Sequence, residues 1–517
     1  MNKIRVCRKL AYTKYLSYLT RQLNFIHGVS EGSEYWSLII GPWLMEYINQ
    51  TEFIFRTGEP NLNSSSSSSS IDYVVPFDYT SFVLLRNELD FNIHLKRCYS
   101  RKKLNISASS WRMVYKSSDQ VWYKLFLIIF LESLLRKFVK NKVILVSSMI
   151  SSSNLILIFF KSKFKFMSLP VALHTPTKNT NLCRSTRLWK IAVESNNDYE
   201  TALNENILNH IPYVYVEGFK LLKLGVKGIL PMKLVSATGM YGNERLKVVA
   251  AEIKKRKGVL IGLQHGGGPY GVSNTNLIDI EINNVDKYLT WGWETQSNTK
   301  AFYSFRTSQF INSFKKTTNT LPIKYLYVGT SCGKFQVDGF PQPSGMEFED
   351  DYISWQHRFF LKLSKSIRKK IVYRGYPYDK EYGWNQVKGI KNLNIGIRMD
   401  AEAKYSKSIS GASLVVCDNL YTTFFESLSI DKPTILFFND SRWRVNEEFE
   451  ILLLEMEEAG IFHRTPESAA SMIEGIDANI NEWWGSDKMV LIKNKIILKY
   501  ARSQLNIVEL FINEVSK

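Results

Sequence analysis

Runs of β-branched residues alternate with helical patterns in the middle of this chain, and this alternation restricts its fold more than any other feature. Between residues 211 and 295 the segments "IPYVYVEGF", "GVLIGLQHGGG" and "DKYLTWGW" have the composition of strands. The segment "NERLKVVAAEIKKRK" has the apolar spacing of an amphipathic helix. Strands that alternate with helices form parallel sheets with crossover helices, so this region is predicted to be α/β.

A second alternating region begins near residue 321. The segments "LPIKYLYVGTSCG" and "IVYRGYPYD" are predicted strands on either side of a basic helix, "SWQHRFFLKLSKSIRKK". The segment "GASLVVCDNLYTTFFESLSIDKPTILFFND" is typical of a strand, a loop, a helix and a further strand. Residues 446–516 have a helical pattern throughout.

We therefore predict an α/β protein of two Rossmann-like, doubly wound domains that face each other across a cleft. The N-terminal domain would span residues 1–300 and the C-terminal domain residues 321–517, with the joint around 296–320. A length of 517 residues agrees with this division, because single hydrophobic cores stop growing at about 250–300 residues.

The first two hundred residues are less regular. Residues 1–60 have a helical pattern, and the serine-rich stretch 61–72 is predicted to be a surface loop because it has no apolar anchor. The mixed stretch that follows contains one clear strand candidate, "NKVILVSSMI" at 141–150.

The charge balance points to an anionic partner. Lysine and arginine number 67 against 48 acidic residues, a formal net charge of +19, which attracts nucleic acid, an anionic membrane surface or a phosphorylated substrate. The basic residues are dispersed, and no RNA-binding or zinc-finger signature is visible, so nucleic acid is the least favoured of the three.

Two short apolar segments bear on the membrane alternative. "LFLIIF" at 125–130 and "LILIFF" at 155–160 are far shorter than the roughly 18 residues of a spanning helix, and both are predicted to be buried core elements. Neighbouring basic residues, among them Lys161, Lys163 and Lys165, leave peripheral contact with an anionic membrane open. The first twenty residues are basic and broken by polar residues, so no secretory signal is predicted and a cytoplasmic location is expected.

No metal site is predicted. The five cysteines are scattered without a CxxC pair, which favours a reducing compartment, and the seven histidines include no HxxxH or HExxH spacing. The acidic run at 349–351 is assigned to a solvated polar loop. We therefore expect chemistry that depends on neither a metal ion nor another cofactor.

The first candidate site follows the predicted strand "GVLIGLQ". His265 and then Gly266, Gly267 and Gly268 stand at its carboxyl end, where ligands bind in open α/β sheets. Glycines with positive φ can expose successive N–H groups to an anion, and a histidine can act as a base near neutral pH. The stretch is neither a Walker loop nor a dinucleotide fingerprint, and a tight turn with a structural histidine is the alternative.

The second candidate site lies in "CDNLYTTFFESL". Thr422 and Thr423 stand at a predicted helix N-terminus, where free N–H groups and the helix dipole favour a phosphate, with Asp418 before them and Glu426 after. A capping box formed by Thr423 and Glu426 is the alternative explanation.

Two arginines lie close to this second site in sequence. Arg374 and Arg398 could each clamp a phosphate or a carboxylate with two parallel hydrogen bonds, or be solvated surface charges.

These motifs, together with "SEYWSLIIGPWL" at 33–44, resemble a family of transferases encoded in bacterial surface-polysaccharide (O-antigen) clusters. The C-terminal motif is more distantly similar to CDP-glycerol glycerophosphotransferases and to transferases that use CMP-activated keto-sugars. The resemblance implies the GT-B architecture, with an acceptor-side N-terminal domain and a nucleotide-donor C-terminal domain.

The function that the resemblance implies is transfer of a sugar from a nucleotide-activated donor to a glycan or lipid-linked acceptor. Asp418, Thr422, Thr423 and Glu426 would hold the donor, with Gly266, Gly267, Gly268 and Arg398 also binding it. His265 and Arg374 would act in catalysis, Arg374 by neutralising charge that develops on the leaving phosphate. A CDP-polyol phosphotransferase and a non-catalytic protein that docks on nucleic acid or a membrane remain the alternatives.

Overall fold

The structure of the protein is a computed structural model. It describes residues 2–58, 70–99, 107–115, 142–169, 182, 187, 194–224, 226, 231–273, 275–317, 322–335, 345 and 348–517. The chain folds into two compact units. The first comprises residues 1–148, 155–263 and 276–287, and the second comprises 149–154, 264–275 and 288–517. The division predicted from the sequence, 1–300 and 321–517, stays a prediction.

The N-terminal region is helical as far as residue 57. Helices Asn2–His27 and Ser33–Thr57 pack on each other, and the second buries Trp36 and Trp43 completely. Pro42 lies inside this second helix beside Gly41, where an added β carbon would meet the Tyr12 hydroxyl at 2.8 Å. The helix therefore contacts its neighbour at a point where only a glycine fits.

Two short strands follow, β1 (Ser70–Pro76) and β2 (Ser107–Val114), which pair in parallel. The last three residues of the predicted serine-rich loop, 70–72, belong to β1, and the rest of that loop lies outside the described residues. The helices of this part of the chain are Tyr79–Leu85, Leu89–Tyr99, Ser152–Lys161, Asp198–His210, Phe219–Leu224, Gly239–Gly242, Glu244–Lys255 and Asn276–Asn283.

The first six-stranded sheet is built from β3 (Val143–Val146), β4 (Phe166–Ser168), β5 (Lys233–Ser236), β6 (Val259–Leu263), β7 (Lys287–Thr290) and β8 (Thr299–Ala301). Its strand order is β4-β3-β5-β6-β7-β8. The pairs β3–β4, β3–β5, β5–β6 and β7–β8 are parallel. The chain therefore reverses its direction of winding beside β3, as doubly wound sheets do.

One strand prediction in this region is wrong. "IPYVYVEGF" forms a 3₁₀ turn at Tyr213–Tyr215 whose three residues are all buried, and the strand next to β6 is β5. A short apolar run shows that a segment is buried but does not distinguish a strand from a tight turn, and Pro212 at the start of this one removes a backbone donor.

The second six-stranded sheet is built from β9 (Ile323–Val328), β10 (Ile371–Arg374), β11 (Arg398–Met399), β12 (Ala412–Cys417), β13 (Thr434–Phe437) and β14 (Phe462–His463). Its strand order is β11-β10-β9-β12-β13-β14, and all its pairs are parallel. Numbered along the chain this is the 3-2-1-4-5-6 order of dinucleotide-binding folds, in which ligands bind where β9 and β12 lie side by side. The prediction of two parallel, doubly wound sheets is confirmed.

The helices of this second region are Phe305–Lys315, Ser354–Lys362, Lys365–Arg368, Gln386–Asn392, Tyr405–Gly411, Thr422–Ser429, Glu447–Glu458, Pro466–Ile476, Ile480–Gly485, Asp487–Tyr500 and Ile507–Ser516. The predicted basic helix after β9 is two helices, because Ser364 caps the second one by accepting from the N–H of Ile367. The acidic run 349–351 is not a loop but part of a π-helical turn, Glu349–Ile353, in which Asp351 pairs with Arg442 at 2.7 Å.

The prediction that "LILIFF" is a buried core element is also wrong. The segment lies in helix Ser152–Lys161, of which only Ile158 is buried, while Ile156, Leu157 and Phe160 are 57, 46 and 61% exposed. The other apolar segment, 125–130, lies outside the described residues. In the described part of the chain no helix is both long enough and apolar enough to cross a membrane.

Candidate functional site

Gln264 fixes the start of the loop that carries the first predicted motif. It is the first residue after β6, it is buried, and its side-chain oxygen accepts from the backbone N–H of Trp291 (2.8 Å) and from the indole N–H of Trp293 (2.9 Å). Its side-chain amide donates to the carbonyl of Gly266 at 2.7 Å. Because buried polar groups are costly to leave unpaired, these bonds set the direction in which the loop leaves the strand.

The glycines that follow are needed mainly because two backbone segments pack closely here, and less because the backbone adopts an unusual conformation. The expectation that all three have positive φ is wrong, because only Gly268 does (+73°). A β carbon on Gly267 would lie 2.4 Å from the Phe425 ring, and one on Gly268 would lie 2.4 Å from the Tyr421 ring. Real β carbons essentially never come this close to a neighbour, so residues 267 and 268 can only be glycine in this packing.

The two predicted sites meet at Thr422. The backbone N–H of Gly267 donates to the Thr422 hydroxyl at 3.0 Å, so the loop after β6 is tied to the loop after β12. Both loops lie in the second compact unit. One amide of the expected anion nest is therefore already paired, and it pairs with a residue that the sequence assigned separately to the donor site.

His265 is positioned by a tyrosine that the sequence did not single out. The Tyr270 hydroxyl lies 2.9 Å from His265 Nε2, and the two rings meet edge to face with their centroids 5.0 Å apart. Tyr270 is buried and His265 is partly exposed. The spacing of five residues within a glycine-rich loop gives no sequence signal for such a pair.

Helix Thr422–Ser429 begins at the N-cap residue Tyr421, whose side chain makes no capping hydrogen bond. The capping-box alternative for Thr423 and Glu426 is therefore wrong. Thr423 is partly exposed, and within the described residues its hydroxyl has no hydrogen-bond partner.

Glu426 is bonded to an arginine of another helix, Phe305–Lys315. Its carboxylate accepts from Arg306 Nε at 2.6 Å, and burial raises the pKa of this carboxyl while the Arg306 charge opposes that shift. Glu426 is 2% exposed, so the structure places it in the interior of the second unit. Its predicted contact with a donor stays a prediction.

Asp418 lies at the carboxyl end of β12, beside β9, and holds a buried hydrogen-bond network. Its Oδ2 accepts from the hydroxyls of Tyr327 (2.8 Å) and Tyr352 (2.7 Å) and from the side-chain amide of Gln356 (2.8 Å). Asn419 donates to the other oxygen at 2.7 Å. Burial raises the pKa of the carboxyl, and the four donors oppose that shift. The network joins the ends of the two strands at the reversal point of the sheet.

Arg374, at the end of β10, is held by the neighbouring loop. It forms an ion pair with Asp400 at 2.6 Å, and its Nη1 also donates to the carbonyl of Glu402 at 2.7 Å. The Ser408 hydroxyl donates to the same Asp400 oxygen at 2.6 Å. Arg398, in the edge strand β11, is exposed. Asp400 lies 26 residues from Arg374 in sequence, so no local motif could have revealed this ion pair.

Together these features define a doubly wound α/β protein with a polar loop cluster at the carboxyl ends of its strands. The chain belongs to the LIC12162 family of transferases, whose model matches residues 3–515. The prediction that it belongs to a transferase family, and that it is an enzyme, is confirmed.

Three solved structures are among those to which the chain is similar. TarM is 12% identical, with a TM-score of 0.35 over 57% of this chain and 58% of that one. MurG of Acinetobacter baumannii is 10% identical (TM-score 0.39, 73% and 99%), and an α,α-trehalose-phosphate synthase (UDP-forming) from Burkholderia vietnamiensis is 6% identical (0.37, 72% and 99%). No curated protein sequence matches the chain.

The geometry of the glycine loop predicts that alanine at position 267 and alanine at the adjacent position 266 have different effects on stability. Gly267→Ala should destabilise the protein by about 1–3 kcal/mol, because its β carbon overlaps the Phe425 ring in a packed interior. Gly266→Ala is the matched control. Its β carbon would meet only the Thr422 hydroxyl at 3.4 Å, so a change within about 0.5 kcal/mol is expected. Thermal and urea unfolding of the two variants measure this difference, and equal stabilities would refute the close approach.

Proposed function

We propose that this transferase is a glycosyltransferase of GT-B architecture that moves a sugar from a nucleotide-activated donor to a cell-surface glycan. The observation that carries the proposal is the loop cluster at residues 264–271 and 418–423. In it a glycine-rich loop and an uncapped helix N-terminus meet through the Gly267–Thr422 hydrogen bond. Uncapped helix N-termini with neighbouring loop amides bind phosphate groups, which every nucleotide-sugar carries.

The donor would bind where strand order reverses in the second sheet. The 3-2-1-4-5-6 order favours a nucleotide at the carboxyl ends of β9 and β12, and the loop after β12 leads directly into helix Thr422–Ser429. In this proposal the Thr423 hydroxyl and the helix amides hold the donor phosphates, and Arg398 adds charge from the edge strand.

Asp418, Glu426 and Arg374 would act on the donor through the elements that they hold. Asp418 and Glu426 keep the strand end and the helix in position, since both carboxylates are already bonded within the protein. Arg374 is paired with Asp400, so its charge reaches a leaving phosphate only if that phosphate lies beside the 400–405 loop. His265, held by Tyr270, is the proposed base or leaving-group contact.

The proposed class of donor rests mainly on the similarity of the C-terminal motif to transferases that use CDP-glycerol or CMP-activated keto-sugars, and less on the geometry of the site. A CMP-linked keto-sugar is the first candidate, and a CDP-polyol on the same fold is the alternative. Both reactions release CMP, and they are distinguished by the other product. A polyol phosphotransferase transfers phosphate to the acceptor together with the polyol, whereas transfer of a keto-sugar from CMP transfers no phosphate.

A nucleotide should stabilise the protein. At a concentration of 100 times its Kd, the cognate nucleotide should add about 2.7 kcal/mol to the free energy of unfolding, which a thermal-shift screen of cytidine, uridine, guanosine and thymidine nucleotides detects. Thr423→Val should weaken that nucleotide by about tenfold or more, because it removes a hydroxyl bonded to a charged group. Thr423→Ser keeps the hydroxyl and serves as the matched control. No stabilisation by any nucleotide would remove the main support for the proposal.

Replacement of His265 should lower turnover and leave donor binding nearly unchanged. His265→Ala is expected to lower kcat by roughly 10²–10⁴-fold, the range for loss of a general acid or base, with nucleotide affinity within a few-fold of wild type. Tyr270→Phe keeps the ring packing and removes the hydroxyl beside His265, so its smaller loss of kcat should appear mainly as an altered pH profile. The assay is release of nucleotide from the donor found in the screen, and wild-type turnover in His265→Ala would return the histidine to a structural role.

A lipid-linked acceptor would bring the enzyme to the membrane surface, and helix Ser152–Lys161 has the chemistry for that contact. Its exposed Ile156, Leu157 and Phe160 are followed by Phe164, which is 50% exposed, and by exposed lysines at 161, 163 and 165. Apolar side chains next to lysines bind the interface of an anionic bilayer, the former in the acyl boundary and the latter at the headgroups.

Binding to vesicles tests this surface. The protein should sediment with phosphatidylglycerol vesicles and less with phosphatidylcholine vesicles, and added salt should weaken the binding. Leu157→Asp with Phe160→Asp should lower the affinity by about tenfold or more. The control is Leu491→Asp with Leu498→Asp, two equally exposed residues whose helix has lysines already paired with glutamates. Equal binding of both double variants would exclude the helix as the contact.

A further inference from the structure

Two histidines and a cysteine converge in the first compact unit, outside the loop cluster. His94 and Cys98 lie one turn apart on helix Leu89–Tyr99, and His210 is the last residue of helix Asp198–His210. His94 Nε2 lies 2.8 Å from His210 Nε2 and 3.8 Å from Cys98 Sγ. One ligand atom from each of the three residues lies within 4.8 Å of the other two.

These separations are close to those around a bound metal ion. An ion with bonds of 2.0–2.1 Å to nitrogen and 2.3 Å to sulfur in tetrahedral geometry sets two imidazole nitrogens about 3.3 Å apart and a nitrogen and a sulfur about 3.6 Å apart. The His94–Cys98 separation of 3.8 Å is close to this value, and the ligand atoms of His210 and Cys98 lie within 4.8 Å of each other. The two rings would have to part by about 0.5 Å from their 2.8 Å contact. In that contact one proton is shared between the two rings, and the ion would take the place of that proton.

The surroundings of His210 match those of a metal-bound histidine. Its other ring nitrogen, Nδ1, lies 2.5 Å from the Tyr47 hydroxyl, which is in turn 2.8 Å from the Tyr99 hydroxyl. Metal-binding histidines are usually oriented by such a hydrogen bond on the far nitrogen. Among the described residues the buried Nδ1 atom of His94 has no hydrogen-bond partner, so only His210 has this support there.

Burial shifts the pKa of every member of the cluster. It lowers the pKa of His94 to about 4 and that of His210 well below its usual value. Burial raises the pKa of the Cys98 thiol to about 12, so an ion would have to displace its proton. The charged groups that face the cluster are Arg97, on the helix of Cys98, and Arg187, which pairs with Glu217 at 2.7 Å.

We propose that His94, Cys98 and His210 form a binding site for one thiophilic d¹⁰ cation, Zn²⁺ or Cu⁺, that cross-links the two helices. A thiolate with two imidazoles is a donor set that both ions accept. Cu⁺ with one thiolate carries no net charge, which suits a partly buried site beside two arginines, whereas Zn²⁺ would leave one positive charge. The site is separate from the proposed sugar transfer and has a structural role.

The test measures metal directly on the full-length protein. After treatment with a chelator, the protein is titrated with Zn²⁺, and separately with Cu⁺ under anaerobic conditions with a colorimetric competitor. Bound metal is counted by mass spectrometry. One equivalent of one ion should bind and raise Tm, and Co²⁺ should give a thiolate-to-cobalt charge-transfer band. The ion with the higher affinity identifies the cation.

Cys98→Ser keeps the size of the side chain and should weaken binding by at least tenfold, with loss of both the Tm rise and the cobalt band. Cys332→Ser is the control, because Cys332 is also buried with a raised pKa but belongs to no such cluster within the described residues. His94→Gln gives the same information if Cys98→Ser does not fold. No bound ion in the wild type, or equal affinity in Cys98→Ser and Cys332→Ser, would overturn the proposal.

Discussion

The close approach of the backbone at Gly267 and Gly268 to residues 420–425 is the constraint on which the candidate site depends. Neither glycine can carry a side chain there without overlapping an aromatic ring, and the Gly267 N–H uses the short distance to bond the Thr422 hydroxyl. The buried Gln264 and its two tryptophan partners hold the other end of the loop. In the sequence the glycine cluster suggests an anion-binding nest. In the structure its main role is to let two loops pack closely together.

The acidic residues near the site are also held by contacts within the protein. Asp418 and Glu426 are buried, and the side chain of Asp400 is 4% exposed. Each carboxylate is bonded to tyrosine, amide, hydroxyl or arginine donors within the protein. A buried carboxylate is tolerated only when its oxygens are paired, so the sequence has to supply those donors from distant segments. The partly exposed side chains of the site include those of Thr423 and His265.

Two features outside the loop cluster show that hydrophobicity does not by itself determine which residues are buried. The apolar run "LILIFF" is exposed because its helix buries only Ile158. By contrast, the polar residues His94 and His210 are buried because two helices and β1 enclose them. Hydrophobicity alone predicts the reverse placement in both cases. The His94-x₃-Cys98 spacing, which places both side chains on one face of a helix, was visible in the sequence, but a search limited to CxxC, HxxxH and HExxH patterns passes over it.

The sequence by itself determined the fold class, because a repeated alternation of strand and helix patterns allows little besides parallel sheets with crossover helices. It also located both loops of the candidate site, since glycines and polar residues directly after buried strands mark the carboxyl edge of a sheet. Only the tertiary structure decided that these loops touch, that Arg306 and Arg374 neutralise carboxylates 120 and 26 residues away, and that a tyrosine-rich run is a 3₁₀ turn. Hydrophobic periodicity is a local property and is readable in one chain, whereas the pairing of buried polar groups depends on which distant segments meet.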